Sequence, residues 1–216
     1  MELKGKKMLF LGDSITEGVG VSDLGLTYWK RLAENDGVDA KGYGIKGTTI
    51  AKQQKHYCKT WDKYFRTRIE EMDAEADVVV VFGGTNDYGH GDVPFGKMSD
   101  RTDDSFYGAL HNLFIDLINK YPTAQMVVMT PLHRLEEEKQ YNEVGIRSCG
   151  TLKDYVEIIK EVAGYYAIPI LDLYSTSGFQ PEIEVIKNIY MPDGVHPSDA
   201  GHERIYNRLK NFLKDL

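Results

Sequence analysis

The sequence predicts an α/β fold, a parallel sheet with helices on both faces. Short aliphatic runs recur along the chain, segments of helical spacing separate them, and the runs are continuously apolar, as strands buried on both faces are. The first run is KMLFL at 7–11. DVVVVF at 77–82, QMVVM at 125–129 and IPILD at 168–172 follow, and a glycine-interrupted stretch at 38–45 supplies a weaker strand. Between them, 26–35, 61–72, 106–121 and 152–166 carry apolar residues three and four apart, and Ile205, Leu209, Phe212 and Leu213 repeat that spacing near the end. Parallel strands need crossovers, and helices supply them. In such sheets ligands sit beyond the carboxyl ends of the strands, so the segments after 82, 129 and 171, each roughly 20 residues long before the next clear helix or motif, are expected on the functional face.

The 216 residues fit one unit, 1–216, at roughly 100 to 200 residues per domain. With 42% hydrophobic and 27% charged residues, the composition excludes a disordered or collagen-like chain. A net charge of -7 gives no pull toward phosphate backbones or anionic lipid, so nucleic acid is not an expected partner. Two cysteines, Cys58 and Cys149, are too few for a disulfide framework and read as free thiols. Lys4, Lys6 and Lys7 before the first apolar run imitate a signal peptide, but the run stops at Gly12-Asp13. No stretch approaches the roughly 20 apolar residues of a membrane span. The expected location is the cytoplasm.

The chemistry begins at the first strand's end, in Gly12-Asp13-Ser14. A serine there faces the ligand crevice as a candidate nucleophile, although the same residues also suit a plain turn with Ser14 as a helix cap. Thr16 stands where a Gly-x-Ser-x-Gly elbow would need its second glycine. Of His56, His90, His111, His133, His196 and His202, only His196 lies in a setting built for a base, Asp193-Gly194-Val195-His196-Pro197. A tight turn at Gly194 can bring Asp193 back onto the imidazole, the Asp-His half of a triad. No third ligand stands at characteristic metal spacing, so no metal site is expected. Asn86, in Gly83-Gly84-Thr85-Asn86-Asp87, and the backbone N–H of Gly47 are candidate oxyanion donors, each also readable as a turn residue. The run from Gly42 to Gly47 satisfies Gly-x-Gly-x-x-Gly, but it does not follow the strong first strand that a dinucleotide fingerprint requires.

These four blocks, in this order, resemble the SGNH hydrolase superfamily, which includes the GDSL esterases and lipases. Ser14, Gly47, Asn86 and His196 match its four markers. Many relatives carry Asn where Gly42 stands. The resemblance implies a three-layer α/β/α sandwich with a flavodoxin-like parallel sheet of about five strands, and a cofactor-free esterase. Its triad would be Ser14, His196 and Asp193, with Ser14 and Gly47 N–H groups and the Asn86 amide as the oxyanion hole.

The expected partner is a small-molecule ester, and the expected activity is short-chain or carbohydrate O-acetyl ester hydrolysis. Lysophospholipase or thioesterase activity is the alternative, and a catalytically silent binding module is a different class. Tyr88, His90, His133 and Arg134 are candidate substrate-binding residues, against a plainer role in packing the loops. Asp13 and Asp87 read as carboxylates that hydrogen-bond turn backbone.

Overall fold

The computed structural model describes residues 1–55 and 57–216; His56 lies outside the described residues. Among the described residues, five parallel strands form one sheet: β1 (Lys7–Gly12), β2 (Asp39–Gly44), β3 (Val78–Phe82), β4 (Gln125–Met129) and β5 (Ile170–Leu171), in the order β2-β1-β3-β4-β5. The order reverses between β1 and β3, where a doubly wound sheet opens its crevice. Gly44, Gly12, Phe82, Met129 and Leu171 are register partners in turn, so all five carboxyl ends lie in one row.

The strands alternate their side chains between two apolar layers. Leu9, Leu11, Val79, Val81 and Val128 pack against α4 (Phe106–Lys120) and α5 (Leu152–Tyr165). Met8, Phe10, Val78, Val80 and Val127 pack against α2 (Tyr28–Asp36) and α8 (Asp199–Asp215). The result is a three-layer α/β/α sandwich. Helix α4 follows directly from its sequence: Phe106, Ala109, Leu110, Leu113, Phe114 and Leu117 form a buried stripe, and the Ser105 side chain accepts from the Gly108 N–H. Helix α5 begins with a capping box between Thr151 and Asp154. No helix among the described residues is long and apolar enough to cross a membrane.

Two expectations are corrected. The spacing over 61–72 predicts a helix, but only a 3-10 turn forms there, Phe65–Arg68. Phe65, Ile69 and Met72 are buried as the spacing implies, but tertiary bonds set the backbone. The Phe65 N–H donates to the Thr49 carbonyl, and the Arg68 side chain is drawn inside. The segments after 82 and 171 are also not long loops. Helix α3 (Thr85–His90) starts almost at once after β3, and α6 (Leu173–Thr176) and α7 (Glu184–Tyr190) follow β5. The segment 130–151 contains no helix.

Two buried polar groups tie the loops beyond the strand ends together. The Arg68 guanidinium donates to the carbonyls of Gly12 (2.9 Å) and Tyr43 (2.5 Å) and to the Thr48 hydroxyl (3.1 Å). The Asp87 carboxylate accepts the N–H groups of Ile50 and Ala51, each at 2.9 Å, joining α3 to the loop after β2. Burial pushes the Asp87 carboxyl up to about 7, with the N–H donors of Ala51 and Ile50 pulling the other way.

Leu110 is fully buried between α4 and the sheet, so Leu110→Ala is expected to lower stability by about 2–5 kcal/mol in urea unfolding. The raised carboxyl carries its own signature. Its folded value lies above the roughly 3.9 of an unfolded Asp, so its contribution to stability is complete below that pH and is lost as pH rises through about 7. Asp87→Asn cannot ionise. The stability difference between wild type and this variant should therefore shift in the variant's favour from pH 5 to pH 8, measured by urea unfolding at each pH; a constant difference would mean that Asp87 is ionised throughout.

Candidate active site

Ser14 is the first residue of α1 (Ser14–Glu17), directly beyond β1. The cap is Asp13, whose carboxylate accepts the Ile15 N–H at 3.0 Å. Ser14 is thus free of the capping role, and its hydroxyl meets another partner: Oγ lies 2.9 Å from Nε2 of His196. Asp13 is wholly enclosed. Burial pushes its carboxyl up to about 6, opposed by the Ile15 N–H and by the charges of His196 and Arg68.

His196 comes from the turn before α8, 182 positions along the chain from Ser14. The turn depends on Gly194, whose φ of 80° suits glycine and whose missing side chain leaves room for Leu135. Asp193 folds back so that Oδ2 lies 2.7 Å from His196 Nδ1, while Oδ1 accepts the N–H groups of Val195 (2.8 Å) and His196 (2.7 Å). Burial pushes the Asp193 carboxyl up, but the bonds from the His196 backbone, its ring and Val195 outweigh that and hold it below the usual carboxylate value. An ionised Asp193 at Nδ1 leaves Nε2 to receive a proton from the serine, the arrangement that general-base activation of a hydroxyl requires.

A pocket of about 290 Å³ opens at this pair and is lined by Ser14, Gly47, Asn86 and His196 together with Val19, Lys46, Cys58, Thr60, Trp61, His90 and Glu143. Gly47 has φ 74°, and a Cβ there would fall 1.9 Å from Trp61 Nε1, so the indole lies directly against the backbone. The Asn86 amide donates to the Thr48 carbonyl at 2.9 Å, which fixes its plane beside that same loop. A roomier cleft of about 350 Å³ at Lys7, Asp77, Lys120 and Tyr121 lies at the amino ends of the strands, away from Ser14. No group of three or more metal-ligating side chains is found among the described residues.

Of the expected substrate-binding residues, His90 lines the pocket; Tyr88, His133 and Arg134 do not. Their side chains hold the 130–151 segment in place. Arg134 donates to the Thr85 carbonyl and pairs with Glu143, and the Tyr88 hydroxyl accepts the Lys139 N–H and donates to the Glu136 carbonyl. His133 pairs with Glu137 at 2.8 Å. Position in a loop after a strand does not give side-chain direction, and these point into the loop. Trp61, which the apolar spacing places at the start of a helix, lines the pocket instead. It stacks on His90 with ring centroids 3.9 Å apart and planes 12° apart. Its signal was a lone indole in a stretch rich in Lys and Gln. Gln53 Nε2 donates to the His90 carbonyl and to Nδ1, so the ring proton sits on Nε2, and burial pushes the imidazole down to about 4, keeping it neutral. At Gly42 a side chain would collide with Trp29, and the Gly-x-Gly-x-x-Gly run leads from β2 into a loop and opens no helix.

Comparison with known proteins gives the family and the fold. The model of the GDSL-like lipase/acylhydrolase family matches residues 10–204. A crystal structure of a protein from Lactobacillus plantarum is 31% identical, with a TM-score of 0.82 over 99% of this chain and 98% of that one. The fold is shared with an acetyl xylan esterase from Geobacillus stearothermophilus at 22% identity, TM-score 0.66, covering 98% and 96% of the two chains. It is shared too with a member of the lipolytic protein G-D-S-L family from Veillonella parvula at 16% identity, TM-score 0.63, covering 97% and 99%. A search of curated proteins by sequence finds no match. The matched span runs from β1 into α8 and includes both Ser14 and His196: the chain belongs to the GDSL-like lipase/acylhydrolase family and is a carboxylic ester hydrolase.

Proposed function

We propose that the protein is a serine esterase working through Ser14, His196 and Asp193, with short acyl esters or O-acetylated carbohydrates as substrates. The observation that carries this is the chain of contacts from Ser14 Oγ to His196 Nε2 and from Nδ1 to Asp193, opening on a pocket shared with Gly47 and Asn86. Ser14 attacks the acyl carbonyl carbon as His196 takes its proton. The developing oxyanion is stabilised by the N–H groups of Ser14 and Gly47 and by the Asn86 amide. Collapse expels the alcohol, which takes the proton from His196. Water, deprotonated by His196, then attacks the acyl-enzyme, releasing the carboxylic acid and restoring the serine.

The substrate class is supported by the lining. Its volume of about 290 Å³ suits a short acyl group better than a long chain, and Lys46, Thr60 and Glu143 on its lining offer polar groups to a hydroxyl-bearing alcohol. The acetyl xylan esterase among the structural neighbours acts on a substrate of this kind. Exposed, unpaired Cys58 and Cys149 support a reducing compartment, the cytoplasm, as the site of action.

Ser14→Ala is expected to abolish p-nitrophenyl acetate turnover and labelling by a fluorophosphonate probe; retained activity in purified variant would overturn the assignment. Asn86→Ala should lower kcat by about 10²- to 10³-fold, the effect of removing one oxyanion donor. In a series of p-nitrophenyl esters, kcat/KM should fall from acetate to palmitate, and acetylated sugars should release acetate. A preference for palmitate would favour a lipase or lysophospholipase role instead.

A further inference from the structure

Arg68 lies outside the triad and is almost wholly buried, at 2% exposure, with its guanidinium over the Phe65 ring at 4.7 Å. No carboxylate lies within ion-pair distance of it among the described residues, although the charges of Asp13 and Glu71 act on it from farther off, and its Nε has no hydrogen-bond partner. Burying a cation with no carboxylate in contact destabilises a fold unless its hydrogen bonds compensate. Its three acceptors are all at the entrances to the oxyanion donors. The Gly12 carbonyl precedes Asp13-Ser14 by one peptide, and the Tyr43 carbonyl belongs to the last residue but one of β2, four positions before Gly47. The Thr48 hydroxyl belongs to the residue after Gly47, and the Thr48 carbonyl is where the Asn86 amide is anchored. One rigid guanidinium fork therefore touches the segments bearing two of the donors and the residue whose carbonyl anchors the third.

Building on the triad and oxyanion donors proposed above, we infer that Arg68 is a positioning residue whose buried guanidinium aims the N–H groups of Ser14 and Gly47, and through Thr48 the Asn86 amide, at the developing oxyanion. It touches no substrate. Burial pulls the Arg68 pKa down to about 10, which leaves the group charged at neutral pH. The effect belongs to the transition state: misaimed donors leave ester binding intact while the tetrahedral oxygen loses its partners.

The test compares Arg68→Lys, which keeps the charge but cannot span three acceptors, and Thr48→Val, which removes the hydroxyl that accepts from Arg68 and donates to the Ile45 carbonyl, with wild type. Steady-state kinetics on p-nitrophenyl acetate, the rate of fluorophosphonate labelling and thermal melting are measured on each. A misplacement of about 1 Å costs about 10²-fold in rate. Arg68→Lys should therefore lose about 10²-fold in kcat with KM unchanged, its labelling rate should fall in parallel, and Thr48→Val should show a smaller loss of the same kind. Unchanged kcat in folded Arg68→Lys, or a loss confined to KM, would overturn the inference. Should Arg68→Lys melt below the assay temperature, Thr48→Val decides: unchanged kcat and labelling there overturn it. Turnover surviving in Ser14→Ala would instead bring down the active-site proposal beneath it.

Discussion

Gly12 stands level with Gly44 on one side and with Phe82 on the other, and this register governs everything above the sheet. Strands β1, β2 and β3 each release their chain at the same height. Ser14 leaves from the first, the Gly47 loop from the second and Asn86 from the third. A slip in the pairing of β1 with either neighbour would displace one group vertically from the other two and turn its strand's apolar side chains to the wrong layer. The two packed layers that lock the register are therefore also what levels the proposed site.

Above that row the molecule departs from the ordinary rule that charge belongs outside. Asp13, Asp87 and Arg68 are all buried there, each bonded to backbone groups. These contacts replace secondary structure where the sheet has ended and helices have not yet begun. The described residues from Ile45 to Arg68 have little regular structure, and bonds to the carboxylates of Asp87 and Asp92 and from the guanidinium of Arg68 hold their course. Desolvation makes such an arrangement costly, and the raised carboxyl values of Asp13 and Asp87 record that cost. It also holds backbone donors rigidly before any ligand arrives, which is what electrostatic preorganisation consists of.

How much of this was legible in the sequence follows from the range of each interaction. Strands such as QMVVM and the α4 stripe declare themselves locally, because burial on both faces or on one stripe requires continuous or periodic apolar residues. The Asp193–His196 contact was legible too, since a four-residue turn closes it. The 61–72 segment was not. Its apolar spacing reports burial correctly, but whether a buried segment coils into a helix was decided by Thr49, Gly12 and Tyr43, which are distant in sequence. Arg68 was hidden for the same reason: in a polar stretch an arginine reads as solvated, and nothing local reveals that backbone carbonyls await it. Tyr88 and Arg134 were given to the right face of the sheet, but the direction of their side chains depended on the 130–151 segment that they hold.

The 182 positions between Ser14 and His196 set when the proposed chemistry can begin. A ribosome makes Ser14 182 residues before His196, and His196 reaches Ser14 only once the turn before α8 is seated beside α1. Until then, on the proposed mechanism, the hydroxyl is no more nucleophilic than any other serine. On that mechanism a partly unfolded chain is inert toward the esters around it, and activity reports that the two ends of the matched span have come together.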